Sequence, residues 1–119
     1  SVTKDGSVML INGANGDMIV TLTGDYAYDQ LGNGGITALA NNNFVIESPD
    51  DNVGGHTDVG SIRQIDTAGT QVSIVAGVVS SDIYGSSITD ASTFNFYVVS
   101  LPNFDNSTSN SGLVNIVVK

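Results

Sequence analysis

Apolar residues in this chain come in short runs set among polar ones. Met18-Ile19-Val20-Thr21-Leu22, Asn43 to Ser48, Val72 to Val79 and Asn95 to Leu101 are apolar and rich in β-branched or aromatic side chains. Such runs predict strands rather than a disordered chain. Turn formers stand between them: Asn41-Asn42, the stretch from Pro49 to Gly55, and Thr67-Ala68-Gly69. Strands are therefore expected near 35–40, 43–48, 59–66 and 71–76, with further ones at 8–12 and 114–118. Phe44, Ile46, Phe96 and Val98 alternate and are expected to share one side, with Val45 and Glu47, or Tyr97 and Val99, on the other.

The runs repeat. Gly6-Ser7-Val8-Met9-Leu10-Ile11-Asn12 returns as Gly60-Ser61-Ile62-Arg63-Gln64-Ile65-Asp66 and again as Gly112-Leu113-Val114-Asn115-Ile116-Val117-Val118, at spacings of 54 and 52 residues. Between these copies, Asp29-Gln30-Leu31-Gly32 matches Asp82-Ile83-Tyr84-Gly85, Ile36-Thr37 matches Ile88-Thr89, and Asn43 to Ser48 matches Asn95 to Ser100. Pro49 and Pro102 follow, the second one residue later. Each period of about 53 residues carries four strand-like pieces joined by short turns, which is a four-stranded antiparallel meander. A meander of that length is the signature of a β-propeller blade, a unit that buries its faces only against neighbours. The fold class expected is all-β, as tandem four-stranded antiparallel meanders. Residues 1–27 would supply strands three and four of a first blade, 28–80 a complete second, and 81–119 three strands of a third.

The order of these pieces resembles the FG-GAP repeats of integrin-α-type propellers and of large bacterial surface proteins of the haemagglutinin type. The residues that carry it are Gly6–Asn12, Leu22–Asp25, Asp29–Gly32, Asn43–Pro49, Asp58–Asp66, Asp82–Gly85, Asn95–Ser100, Pro102 and Gly112–Val118. Leu31-Gly32 and Tyr84-Gly85 stand where that family has Phe-Gly, and its Gly-Ala-Pro appears as Glu47-Ser48-Pro49. The resemblance implies propeller blades. Physically, Gly32 and Gly85 would let the backbone turn or approach a neighbour closely. Leu31 and Tyr84 would plug the space between adjacent blades.

Composition narrows the partners. Gly, Ser, Thr and Asn make up 50 of 119 residues, a mixture poor in helix formers. Three basic residues against twelve acidic ones give a net charge of −9. That balance argues against nucleic acid and against an anionic membrane surface. No apolar run reaches eighteen residues, so no membrane insertion is expected. With no Cys, thiolate metal sites and thiol nucleophiles are excluded, and a single His removes multi-histidine zinc sites. Low Lys with abundant Asn, Ser, Thr and Asp suits an extracellular or cell-surface protein.

Chemistry-bearing residues are few. The stretch from Pro49 to Asp58 offers Asp50, Asp51, Asn52 and Asp58 as hard oxygen donors beside glycines, a candidate Ca²⁺ loop, although the alternating donors of calcium-binding FG-GAP loops are missing and a solvated turn is the competing reading. No other cofactor is expected. Asp25, Asp29 and Asp82 read as turn caps. His56 has no nucleophile elbow to serve, and Gly13 to Gly16 is a hairpin turn because no helix follows it. Asn106-Ser107-Thr108 fits a glycosylation pattern. The chain is not expected to be an enzyme.

Edges decide the rest. Two blades and a fraction do not close a ring, and the outermost strands would offer unpaired backbone groups. Val8, Leu10, Val114, Ile116 and Val118 are the expected self-association residues. Copies of the chain itself or flanking repeats are the expected partners, whether in a longer repeat protein, a ring or an open fibre. The function expected is thus a structural or adhesive surface module. The alternative is a propeller-type binding module that recognises glycan or protein through its loops, with Tyr26, Tyr28 and Phe104 as the aromatic candidates.

Overall fold

A computed structural model describes residues 3–79, 87–102, 104 and 112–119. Nine strands lie within them: β1 (Ser7–Ile11), β2 (Met18–Thr23), β3 (Gly35–Ala38), β4 (Phe44–Ser48), β5 (Ser61–Ile65), β6 (Gln71–Ala76), β7 (Ser87–Ala91), β8 (Phe96–Leu101) and β9 (Leu113–Val118). They pair antiparallel into three sheets, β1-β2, β3-β4-β5-β6 and β7-β8-β9, and no sheet closes into a barrel. The chain is all-β, a tandem of antiparallel meanders of which the middle one has four strands.

The repeat is built in matching detail. In the β1–β2 hairpin Val8 pairs with Leu22 and Leu10 with Val20, and the register slips between Leu10 and Ile11. In the β5–β6 hairpin Ile62 pairs with Val75 and Gln64 with Ser73, and the register slips between Gln64 and Ile65. A bulge at the same place in both hairpins bends the strands alike, so the sheets they belong to have like curvature. The turns match as well. Asn12 Oδ1 accepts the Ala14 N–H, and Asp66 Oδ1 accepts the Ala68 N–H, each at 2.9 Å.

Two apolar layers hold the sheets together. Val8 of the first sheet and Leu31 of the linker pack with Ile46 and Ile65 on one face of the middle sheet. On its other face Leu39, Val45 and Ile62 meet Tyr97, Val99 and Leu101 of the third sheet. The middle strands β4 and β5 are thus covered on both sides, so neither has a clean polar face, and the polar residues Ser48, Ser61 and Gln64 are themselves buried. Burial of each such side chain stabilises by roughly 1.5–3 kcal/mol. Leu31 sits between sheets as its place in the repeat implied. Gly32 turns with φ 86°, and a Cβ there would come within 2.8 Å of a Val8 methyl, so glycine serves both the turn and the close approach. Tyr84 and Gly85 lie outside the described residues.

One expectation is corrected. Phe44 and Ile46 do face one way, toward the first sheet, but their counterparts in the third sheet are Tyr97 and Val99, not Phe96 and Val98. Ile46 pairs with Arg63 and with Ile36, and Val99 pairs with Asn115 and with Ile88, the repeat equivalents of Arg63 and Ile36. The correspondence of β4 with β8 therefore runs through Pro49 and Pro102. The Asn-Phe similarity that aligned Asn43 with Asn95 is one residue out of step. Because side chains alternate, a slip of one residue exchanges the faces of a whole strand.

Candidate functional site

The loop after β4 is the most elaborately bonded stretch. The consecutive Asp50, Asp51 and Asn52 point three ways. Asp50 Oδ2 accepts from Gln30 Nε2 at 3.0 Å and from Asn33 Nδ2 at 2.8 Å, tying the loop to the linker that enters the middle sheet. Asp51 is fully buried. Its Oδ2 accepts from the Ser61 hydroxyl, from Arg63 Nε at 3.2 Å and from Arg63 Nη2 at 2.6 Å, while Oδ1 has no partner. Asn52 gives its N–H to Asp29 Oδ1 at 3.1 Å, and its side-chain oxygen accepts the Asp58 N–H at 2.7 Å.

Asp29 completes the knot. It is fully buried, and its Oδ2 takes the N–H groups of Asp25 and Tyr26 at 2.8 and 2.7 Å. It therefore caps the turn leaving β2, as expected of a turn aspartate, and also clamps that turn to the loop after β4. Arg63 also reaches Asp25 Oδ2 at 3.6 Å, a weaker contact because Asp25 is mostly exposed. The four expected calcium donors do not converge. Among the described residues no three carboxylate or imidazole groups gather as a metal site would require. Asp50 and Asp51 are taken up by protein donors, and with Asn52 on Asp29 the loop's visible work is to bind the first sheet to the second.

Beyond the knot the loop closes on itself. Val53 and His56 exchange backbone hydrogen bonds of 3.1 and 3.0 Å across Gly54-Gly55. The tip leaves a hollow of about 230 Å³ lined by Tyr26, Asn52, Gly55, His56 and Thr57. Tyr26 and Tyr28 are both exposed, with the Lys4 ammonium 5.9 Å from the Tyr28 ring centre. Phe104, by contrast, packs against the core between the middle and third sheets and is no loop-tip aromatic. Asp82 and the Asn106-Ser107-Thr108 pattern lie outside the described residues.

The expected self-association residues separate. Val8 is buried against the middle sheet and Leu10 is half-buried on the same face, so neither is open to a partner. Val114, Ile116 and Val118 are 68, 64 and 66% exposed and stand in one row on the outer face of the third sheet. Phe96 and Val98 pair with Val118 and Ile116 on that face, and Phe94 stacks on Phe96 at 5.7 Å. At the opposite end, Met9, Ile11 and Ile19 of the first sheet are 61, 50 and 45% exposed.

Sequence reasoning passed over the residues that join the sheets. Arg63 is one of three basic residues in the sequence, and a single Arg in a strand covered on both sides signals a buried acid to pair with it. Asp90 Oδ2 accepts the Ala40 N–H from the middle sheet at 2.8 Å, and Oδ1 accepts from Lys119 Nζ at 2.8 Å. The Lys119 hydrogen bond, more than the Ala40 N–H and the Lys119 charge, holds the Asp90 carboxyl below its usual pKa against the opposing cost of burial. Nothing in the local sequence marks that triad, since its members come from three separate segments.

No family model, curated protein or solved structure matches this chain.

Proposed function

We propose that this chain is a structural or adhesive repeat module of an extracellular or cell-surface protein, propeller-blade-like in design, whose work is sheet stacking rather than chemistry. The observation that carries the reading is the outer face of the third sheet. Val114 stands where the repeat has Val8 and Ile62, both buried under the next sheet, yet Val114 is 68% exposed. A contiguous apolar face of this kind on an acidic protein marks an interaction surface. The resemblance to FG-GAP repeats agrees, since blades of that kind are stable only when stacked.

Light scattering coupled to size exclusion, with negative-stain imaging, tests it. Concentration-dependent oligomers, rings or filaments are expected. A chain that stays monomeric up to millimolar concentration would overturn the reading.

The hollow beside Tyr26 favours a second reading, a module that recognises glycan through its loops. An exposed ring next to Asn52 and His56 has the stacking and hydrogen-bonding groups a sugar needs. A glycan array followed by Tyr26→Ala tests it. Loss of a specific hit on that substitution is expected, and an empty array would dismiss it.

A further inference from the structure

The geometry points to a head-to-tail contact between two copies of this chain, in which the outer face of the third sheet of one copy receives the outer face of the first sheet of the next. This rests on the self-associating reading above and specifies its surfaces and polarity.

The molecule already builds the strand-three part of such an interface twice. Strand three of each sheet presents one row of side chains toward the sheet that follows: Val8 in β1, Ile62 in β5, Val114 in β9. The first two are covered, Val8 in a layer with Ile65 and Ile62 in a layer with Tyr97, Val99 and the half-buried Val117. Ile65 and Val117 are equivalent positions in the repeat, each facing back toward the sheet before. The equivalent position in the first sheet is Ile11, which faces away from the middle sheet and is 50% exposed. The interior layers also draw on strand two of the following sheet, Phe44 and Ile46 in β4 and Tyr97, Val99 and Leu101 in β8, which the first sheet lacks among the described residues. What the two open faces share with the interior is the strand-three part, as in the layer of Val8 with Ile65.

Chemistry agrees with the geometry. The forward row is Val114, Ile116 and Val118, and the backward patch is Met9, Ile11 and Ile19, with no charged side chain in either set. The net charge of −9 opposes association at long range, so added salt should tighten it. Unlike patches meeting in one direction make a heterologous contact, which propagates into a ring or a filament according to the rotation per copy.

Two double variants test the polarity. Val114→Lys with Ile116→Lys blocks the forward face, and Met9→Lys with Ile11→Lys blocks the backward face. Lysine lowers the net negative charge, so lost association cannot be ascribed to general repulsion. All four side chains are at least half exposed, and circular dichroism with thermal melting checks that the fold is kept. In sedimentation velocity each variant alone should be monomeric, its dissociation constant raised at least about tenfold. Mixing the two should give a one-to-one dimer that grows no further, because one intact face of each kind remains.

A forward-blocked or backward-blocked variant that still dimerises alone would overturn the head-to-tail contact, as would wild-type association that neither pair of substitutions weakens. Both outcomes leave the self-associating module standing. A wild-type chain that never associates, at low or high salt, would overturn both.

Discussion

Phe104 occupies the place in the third sheet that Asp51 occupies in the middle one. The Asp51 N–H donates to the Ser48 carbonyl at 3.2 Å and its own carbonyl accepts from Gly60 at 3.0 Å. The Phe104 N–H donates to the Leu101 carbonyl at 3.2 Å and its carbonyl accepts from Gly112 at 3.0 Å. The same backbone knob carries an ion pair within the middle sheet, to Arg63 of β5, and an aromatic ring between the second and third. Ser48, Ser61 and Arg63 around Asp51 become Leu101, Leu113 and Asn115 around Phe104. One fold position tolerates either chemistry provided the whole set changes together.

That pairing makes Asp51 and Arg63 strongly coupled. Asp51→Ala leaves Arg63 nearly buried without its partner and should cost about 3–5 kcal/mol. Asp51→Ala combined with Arg63→Met should recover much of the loss, because the uncompensated charge is gone. Urea denaturation of the two single variants and the double variant measures the coupling. Simple additivity would show that the pair is not an energetic unit.

Gly69 and Gly16 sit at equivalent turns, both with positive φ, of 86° and 79°. A Cβ at Gly69 would overlap the Val20 side chain of the first sheet, whereas a Cβ at Gly16 meets nothing within 4 Å. Gly16→Ala should cost about 1–2 kcal/mol through backbone strain alone. Gly69→Ala should cost clearly more, since it also pushes the first sheet off the second. Equal melting temperatures for the two variants would contradict that contact.

Tyr97 is fully buried between the middle and third sheets, and its hydroxyl lacks a hydrogen-bond partner of good geometry. Burial raises the phenol pKa, with the nearby Ser73 hydroxyl pulling weakly the other way. Tyr97→Phe removes an unsatisfied buried group while keeping the ring. It should leave stability unchanged or raise it by up to about 1–3 kcal/mol, as read by denaturant midpoint. A marked loss would mean the hydroxyl is satisfied after all.

Asp90 ties acid stability to the contact between the middle and third sheets. Its folded pKa lies below the ordinary carboxylate value, chiefly through the Lys119 hydrogen bond. Stability from this group is complete above its unfolded pKa of about 3.9 and is lost as pH falls through the lower folded value. Asp90→Asn should therefore flatten the fall in stability below about pH 4. Urea midpoints measured from pH 7 downward show it. An unchanged slope would remove Asp90 from the acid response.

Chelation should have no effect. Asp50 and Asp51 of the loop after β4 are engaged by Gln30, Asn33, Ser61 and Arg63 rather than turned toward one centre. The melting temperature in EDTA should equal that in calcium, because only a ligand of the native state raises stability. A rise with calcium would restore the metal loop.

What the sequence determined by itself was the succession of strands and turns. Short β-branched runs, Asn and Gly turn signals and a period near 53 residues are local properties, and they specify nine strands divided two, four and three. Which way each strand faces was decided only in three dimensions. Between the equivalent pairs Ala38–Phe44 and Asp90–Tyr97 the third sheet has six residues against five, and the following connection is one shorter, so the similarity of Asn43-Phe44 to Asn95-Phe96 misleads by one position. A side-chain period of two turns that single residue into an exchanged face. The roles of Asp51, Arg63 and Asp90 were equally out of reach, because the ion pair within the middle sheet and the cap between the middle and third sheets join residues that no local pattern relates. Only packing one sheet against the next shows that Val8 is interior and that Val114, its copy in the repeat, still faces water.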